Sequence, residues 1–313
     1  MNFSIVIPLY NESDNVIQLN NEIISSIGLI KSNHDFNFEI IYIDDGSTDS
    51  TYTTIMGLKN SIQTIIVKNY QNLSQSKSIL NGIEASNYEN IILMDGDLQN
   101  DSKDIIKMID LYLKEKFPVV HGFRKFRKDP YLTKILPSKI ANFIVRKFTN
   151  SKIKDHGCSL KIFKKDIIKS SNFFGDFHRL FAAQINKNIR IVEIEVNHRP
   201  RVKGFSNYGF ERIFKILIDL IFINFVTNKR SYFYTLGIFG LSSFLLSALI
   251  TIYIFYLKFF EDKSFIETPL PILVIFFALS GLIFFSIILV MENIKKFFQD
   301  QNTKNKDYEI INL

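Results

Sequence analysis

Tryptophan is absent from this 313-residue chain, and cysteine occurs once, as Cys158. A single thiol excludes an intrachain disulfide and any cysteine-built metal cluster, and it fits a reducing compartment. The histidines His34, His121, His156, His178 and His198 show no ligand spacing, so none is assigned a catalytic role. Gly28 and Gly57 form no Gly-x-Gly-x-x-Gly, which disfavours a nicotinamide-dependent enzyme. No basic run with interleaved aromatic residues occurs, so the net charge of +7 does not point to nucleic acid. That charge reads either as a lysine-rich solvated surface or as attraction for anionic headgroups and phosphorylated substrates. Met1-Asn2-Phe3-Ser4 runs straight into an apolar strand without a basic region or cleavage site, so no signal peptide is expected.

Charge is missing altogether from residues 232–257 and 269–291. Each stretch exceeds the roughly 20 residues that cross a ~30 Å hydrocarbon core, so two transmembrane helices are expected. The segment 258–268 is short enough to make them a hairpin. Lys229-Arg230 precedes the first span and Lys295-Lys296 follows the second, whereas the loop mixes Lys258 and Lys263 with Glu261, Asp262 and Glu267. The positive-inside rule then places both termini in the cytoplasm, as in a multi-pass inner-membrane protein. Just ahead, residues 210–226 are apolar but carry Glu211, Arg212, Lys215 and Asp219 at helical spacing. That segment is either an amphipathic helix lying in the membrane interface or a core helix of the globular part. The resulting plan is a globular domain at 1–209, an interfacial helix at 210–230, a hairpin at 231–292 and a cytoplasmic tail at 293–313.

In the globular part, residues 3–8, 39–44, 62–67, 90–94 and 118–121 are apolar or β-branched runs of strand length. Between them, 16–30, 76–85 and 105–113 have helical spacing; further along, 131–148 and 177–186 read as helices and 189–196 as a strand. Strands alternating with helices predict an α/β fold with a mostly parallel sheet. Ligands bind such sheets beyond the carboxyl ends of the strands, which directs attention to the residues just after each one.

Those positions carry the polar groups. Asp95-Gly96-Asp97 follows the fourth strand, and its two carboxylates offer hard oxygen ligands for Mg²⁺ or Mn²⁺, although a capped turn is the common alternative for such a triplet. Asp44-Asp45-Gly46-Ser47 ends the second strand; the acidic pair could accept hydrogen bonds from a base or ribose, or Ser47 or Thr48 could simply cap the next helix. Pro8-Leu9-Tyr10-Asn11-Glu12 stops the first strand with a ring face and a carboxylate, or is merely a turn.

At these spacings the three elements resemble the family 2 glycosyltransferases, whose nucleotide-sugar-binding domain is of the GT-A type. The likeness extends to Asn72-Leu73-Ser74-Gln75-Ser76, where Ser74 stands in place of the usual glycine. It includes Asp155-His156-Gly157-Cys158-Ser159-Leu160-Lys161 and the stretch from His198 to Gly209, where Asn207 replaces a usual lysine. Both are similar to acceptor-side segments of polyprenyl-phosphate sugar transferases. The resemblance spans about residues 3 to 230. It implies inverting transfer from a UDP- or GDP-linked sugar to a polyprenyl phosphate, undecaprenyl phosphate in bacteria. Pro8, Tyr10, Glu12, Asp44, Asp45, Gln75 and Asp95 would hold the nucleotide-sugar. Asp95, Asp97 and Gln99 would surround the cation, and Arg124, Arg127, Arg201 and Ser206 would face diphosphate or acceptor phosphate. Asp97, Asp155, Arg124 and Arg201 form the implied catalytic set. The missing tryptophan argues against processive polysaccharide synthases, which use a Gln-x-x-Arg-Trp motif. A transferase for another acceptor and a non-catalytic membrane scaffold are the remaining alternatives, and a homo-oligomer is compatible with the pattern.

Overall fold

The computed structural model describes residues 1–32, 34–115, 117–128, 135–149, 151–169, 177–185, 188–200, 229–265, 268–301 and 308–313. The chain divides into two compact units, Met1–Asn224 with Lys306–Leu313, and Phe225–Asn305.

The first unit is an α/β sandwich. Its early strands are β1 (Asn2–Leu9), β2 (Asn37–Asp44), β3 (Gln63–Asn69) and β4 (Asn90–Leu93), alternating with α1 (Ser13–Lys31), α2 (Thr51–Met56) and α3 (Gln75–Ala85). Then come α4 (Asp104–Glu115), β5 (Val119–Phe123), α5 (Leu136–Thr149), β6 (Lys161–Lys164), α6 (Lys165–Lys169), α7 (Phe177–Gln184) and β7 (Ile191–Glu195). The last strand, β8 (Tyr308–Asn312), follows the second unit in sequence. Together they form an eight-stranded sheet in the order β7-β5-β6-β4-β1-β2-β3-β8. The pairs β1/β2, β1/β4, β2/β3 and β5/β7 are parallel, as the sequence predicts. β6 runs antiparallel between β4 and β5, and β8 antiparallel to β3.

Strand alternation explains the continuous apolar runs. Phe3, Ile5, Ile7 and Leu9 of β1 join one core with the inward face of α1 (Val16, Leu19, Ile23, Ile27) and with α4. Val6 points the other way, into a second core with Ile43, Val67 and Leu93 of neighbouring strands and Ile79 and Ile83 of α3. Strands covered on both faces have no solvent side on which to place polar residues. Each fully buried Ile or Leu contributes roughly 1.5–3 kcal/mol of transfer free energy.

The second unit pairs α8 (Lys229–Phe260) with α9 (Leu270–Gln301). Both contain spans long and apolar enough to cross a membrane, Tyr234–Phe260 and Leu270–Asn293, with mean hydropathies of 2.1 and 2.9. Only 17% and 6% of these windows are buried within the protein, which is not how a soluble core helix behaves. The two helices meet through small residues: a Cβ on Gly240 would lie 2.9 Å from the Phe285 ring, and Ser247 Oγ donates to the Val274 carbonyl at 3.1 Å.

Part of the segment 293–313, expected as a cytoplasmic tail, takes regular structure. The second long helix continues to Gln301, because no glycine or proline interrupts it after the apolar span, and residues 308–312 join the sheet of the first unit. Of the segment 210–230, expected as an interfacial helix or else a core helix, residues 210–228 lie outside the described residues and Lys229-Arg230 begin α8.

Candidate active site

The carboxyl ends of β1, β2, β3 and β4 lie side by side, and the turns that leave them are laced together. The Asp45 amide donates to the Leu9 carbonyl at 2.9 Å, and the Asn11 amide to Ser47 Oγ at 3.0 Å. Asn11, at a φ of 54°, returns its side-chain oxygen to the Thr48 amide at 2.8 Å. Ser47 and Thr48 therefore brace the first loop and do not cap α2, whose first turn is held by Asp49 accepting from the Thr51 amide at 2.9 Å. Tyr10 is exposed at the mouth, and the Glu12 amide donates to Thr51 Oγ1 at 2.9 Å.

Asp44 and Asp45 are both buried at the end of β2. Burial raises the Asp44 pKa, opposed by hydrogen bonds from Ser47. Asp45 Oδ1 accepts from Asn69 Nδ2 at 2.8 Å and from the Leu73 amide at 2.9 Å, so this carboxylate fastens the loop after β3. Gly46, at a φ of 69°, lets that loop close down: a Cβ there would stand 2.5 Å from the Gln71 carbonyl carbon.

Asp95 begins the turn after β4. Its Oδ1 accepts from Gln75 Nε2, the first residue of α3, at 2.7 Å. Gly96 packs so tightly on the first loop that a Cβ would be 2.2 Å from Leu9 Cδ2 and 3.2 Å from the Pro8 carbonyl oxygen. Asp97 Oδ1 accepts from the Gln99 amide at 3.2 Å. The same turn reaches the later segments. Asn100 Oδ1 accepts from the Asp95 amide at 3.3 Å and from Ser159 Oγ at 2.8 Å, and the Gln99 carbonyl accepts from the Arg199 amide at 2.9 Å.

Beside this turn sits a buried ion pair. Arg124 Nε and Nη2 grip Asp155 Oδ2 and Oδ1 at 2.7 and 2.9 Å. Burial alone would raise the Asp155 pKa, but the guanidinium beside it holds it well below the usual carboxylate range. Burial likewise opposes the Arg124 charge, and Asp155 outweighs it, keeping the guanidinium protonated. Arg124, expected to face phosphate, is thus bidentate to Asp155. Arg127 donates to Ser138 Oγ of α5 at 2.8 Å. Arg201 and Ser206 lie outside the described residues.

Three groups were given no role by the sequence. Asn69 and Asn100 tie loops together, and Lys161, completely buried on β6, donates to the Cys158 carbonyl and, at 3.0 Å, to the His178 carbonyl. Burial brings the Lys161 pKa down to about 8, with Asp95 and Asp155 among the charges that oppose this. Asn69 ends β3 and Asn100 closes the turn after β4, where the topology rule could have found them; Lys161 closes the Asp155–Lys161 family segment, but its burial on β6 carries no sequence signal. Burial also lowers the pKa of His156 to about 4 and that of His121 well below the ordinary value, which keeps both neutral.

The donors at the Asp95–Gln99 turn suit a hard divalent cation. Asp95 and Asp97 are carboxylates within one turn, and the Gln99 amide nitrogen is buried without a hydrogen-bond partner among the described residues. Which end of that amide faces the turn is a matter of assignment, so its oxygen can serve as a ligand. Among the described residues no group of three or more His, Cys, Asp or Glu gathers as a metal site, at this turn or elsewhere, so the donor set here is two carboxylates and an amide.

Residues 4–171 match the model of Glycosyl transferase family 2. The chain belongs to this family. Among family 2 relatives, dodecaprenyl-phosphate galacturonate synthase of Rhizobium johnstonii is 30% identical over 315 residues, covering 97% of this chain and 91% of the relative. Undecaprenyl-phosphate 4-deoxy-4-formamido-L-arabinose transferase of Shewanella sediminis is 26% identical over 312 residues, covering 97% and 90%. The sheet matches that of mannosyl-3-phosphoglycerate synthase from Rubrobacter xylanophilus with a TM-score of 0.53 at 10% identity, over 74% of this chain and 75% of that one. The fold is of the expected GT-A type, and the protein is a glycosyltransferase. Glucosyl-3-phosphoglycerate synthase from Mycobacterium tuberculosis, solved with Mn²⁺, UDP-glucose and glycerol 3-phosphate, aligns with a TM-score of 0.46 at 16% identity, over 72% of this chain and 79% of that one.

Proposed function

We propose that this family 2 enzyme transfers a sugar from a UDP- or GDP-linked donor to a polyprenyl phosphate, undecaprenyl phosphate in a bacterial host, with inversion at the anomeric carbon. The observation that carries the reading is the position of the Asp95–Asn100 turn. On one flank Gln75 and the Pro8–Leu9 loop join it to the nucleotide-side residues; on the other, Asn100 and Gln99 join it to Ser159 and Arg199 of the acceptor-side segments. The full-length likeness to enzymes named for polyprenyl-phosphate acceptors supports the choice of acceptor.

In this reading Tyr10 offers its ring to the base, and Glu12, Asp44 and Asp45 hold or shape the nucleoside pocket. Asp95, Asp97 and Gln99 would hold Mg²⁺ or Mn²⁺, which when bound supplies charge neutralisation at the departing diphosphate. A lipid phosphate is already anionic at neutral pH. One of its oxygens forms a bond to the anomeric carbon while the bond from that carbon to the nucleoside diphosphate breaks, and no proton need be removed. The chain's own contribution is positioning and a preorganised field. Arg124, held rigid by Asp155, keeps a fixed positive charge beside the turn, while Arg127, Arg201 and Ser206 are the proposed phosphate contacts. The two apolar helices would anchor the enzyme where its lipid acceptor resides, with the catalytic unit and both termini cytoplasmic. Return of the chain to the sheet at β8 supports a common side for the two flanks of the hairpin, since it brings residues on both sides of it into one unit. Membranes containing the enzyme, given labelled UDP- and GDP-sugars with undecaprenyl phosphate, test the reading: one donor should yield label in the lipid extract, and none would do so if it is wrong.

A further inference from the structure

The strand that completes the sheet, β8, lies beside β3 in a register that runs from Asn69 opposite Tyr308 to Ile65 opposite Asn312. Its side chains dock on both faces. Tyr308 is buried in the core that contains Ile79 and Ile83 of α3, and Ile311 packs on the opposite core. Lys68 and Glu309 pair at 3.7 Å on the surface, a contact of small energetic weight. The residue that Tyr308 faces is the hub of the donor loops. Asn69 Nδ2 reaches both Asp45 Oδ1 and Ser78 Oγ at 2.8 Å, and its oxygen accepts from Asn81 Nδ2 at 2.9 Å. The Asp45 oxygen also holds the Leu73 amide, two residues before the Gln75 that grips Asp95.

We propose that β8 is a positioning element of the donor site: by docking on β3 it fixes Asn69 and thereby the Asp45 carboxylate and the loop 70–75. The inference rests on assigning these loops to the nucleotide-sugar, as above. An edge strand placed only to shield β3 from other chains would stabilise the sheet without favouring one substrate. A positioning strand acts on the donor side, through Asn69 and the Asp45 carboxylate, whereas the described acceptor-side groups Asp155, Ser159 and Arg199 hydrogen-bond to Arg124, Asn100 and the Gln99 carbonyl on the other flank. Residues 302–307 connect β8 to the end of α9, so the nucleotide loops are ordered by a segment that emerges from the membrane hairpin.

The test uses the full-length enzyme and two independent ways of unseating the strand, deletion of 308–313 and Ile311→Asp, which sets a charge against the core. UDP and GDP with Mn²⁺ are the binding probes. Both variants should bind the nucleotide that the wild type prefers roughly tenfold more weakly, about the effect of one lost hydrogen-bonded contact. Their KM for undecaprenyl phosphate should be unchanged, and hydrogen exchange at the Leu73 amide should accelerate. Oxidised Lys68→Cys/Glu309→Cys should tie β8 down and keep wild-type affinity, Cys158 being buried out of reach. Wild-type nucleotide affinity in both unseated variants would overturn the proposal, as would equal losses for donor and acceptor or a general loss of protection. If the wild type binds neither UDP nor GDP, the assignment of the site itself fails. Exchange at Leu73 then decides separately whether β8 orders the loop.

Discussion

Ser74 stands at φ 88° and ψ 149°, a backbone region that glycine enters freely and a side chain does not. The sequence marks this position, since glycine is usual there, and the structure supplies the reason: the turn delivers Gln75 to Asp95. Such strain costs about 1–3 kcal/mol. Ser74→Gly is therefore expected to stabilise the enzyme by about 1 kcal/mol after the added flexibility of the unfolded glycine is counted, measured as a rise in Tm of a few degrees. Lys161 is the opposite case, a completely buried cation at the start of the strand Lys161–Lys164. Its ammonium holds the His178 carbonyl, and His178 Nδ1 meets Ser76 Oγ at 2.9 Å, next to Gln75. Lys161→Met should lower turnover by about tenfold through this chain of contacts. Its pH signature is distinct. The folded pKa of about 8 lies below the ordinary lysine value of 10.5, so between those values the unfolded chain retains a proton that the folded one has released. Wild-type stability should rise relative to Lys161→Met as pH passes from 8 towards 10.5, followed by thermal unfolding; parallel curves would contradict the assignment. Asp95, Asp97, Asp45 and Gln75 were legible because they follow strands or match a family segment. Asn69, Asn100 and Lys161 act on other protein groups, and composition carries no mark of that.

Among the elements, strands flanked by helices were the most readable. The run from Phe3 to Leu9 is buried on both faces, so its apolar character is continuous and its partner strands repeat it. The antiparallel insertion of β6 was not readable, because strand direction is decided by the route of the chain between 124 and 160 and not by the four residues of the strand. β8 is the harder case. Tyr308-Glu309-Ile310-Ile311-Asn312 is a short β-favouring run, but its partner lies more than 230 residues earlier, and nothing local distinguishes it from a solvated tail. Beyond the apolar span, where the basic flank Lys295-Lys296 lies, Lys and Glu are good helix formers and the helix continues to Gln301.

At the scale of the whole molecule, return of the C-terminal strand to the catalytic sheet makes the membrane topology a sharp prediction. A reporter at Leu313 and one near Met1 should read the same, cytoplasmic side, and a tag within the loop between the two spans should read the other; a cytoplasmic loop tag would contradict the hairpin. Two apolar helices with a basic flank were legible from charge alone, whereas the pairing of residues 308–312 with β3 was not. The central claim concerns the acceptor, and one measurement reaches it most directly. With the preferred labelled donor and Mg²⁺ or Mn²⁺ present, transfer to undecaprenyl phosphate is compared with transfer to undecaprenol and to soluble sugars, for the wild type and for Asp97→Ala. The account predicts label on the lipid phosphate alone, and a loss on the order of 10²–10³ in rate for Asp97→Ala, equivalent to about 3–4 kcal/mol of transition-state stabilisation. Efficient transfer to undecaprenol or to a soluble sugar, or undiminished turnover by Asp97→Ala, would contradict it.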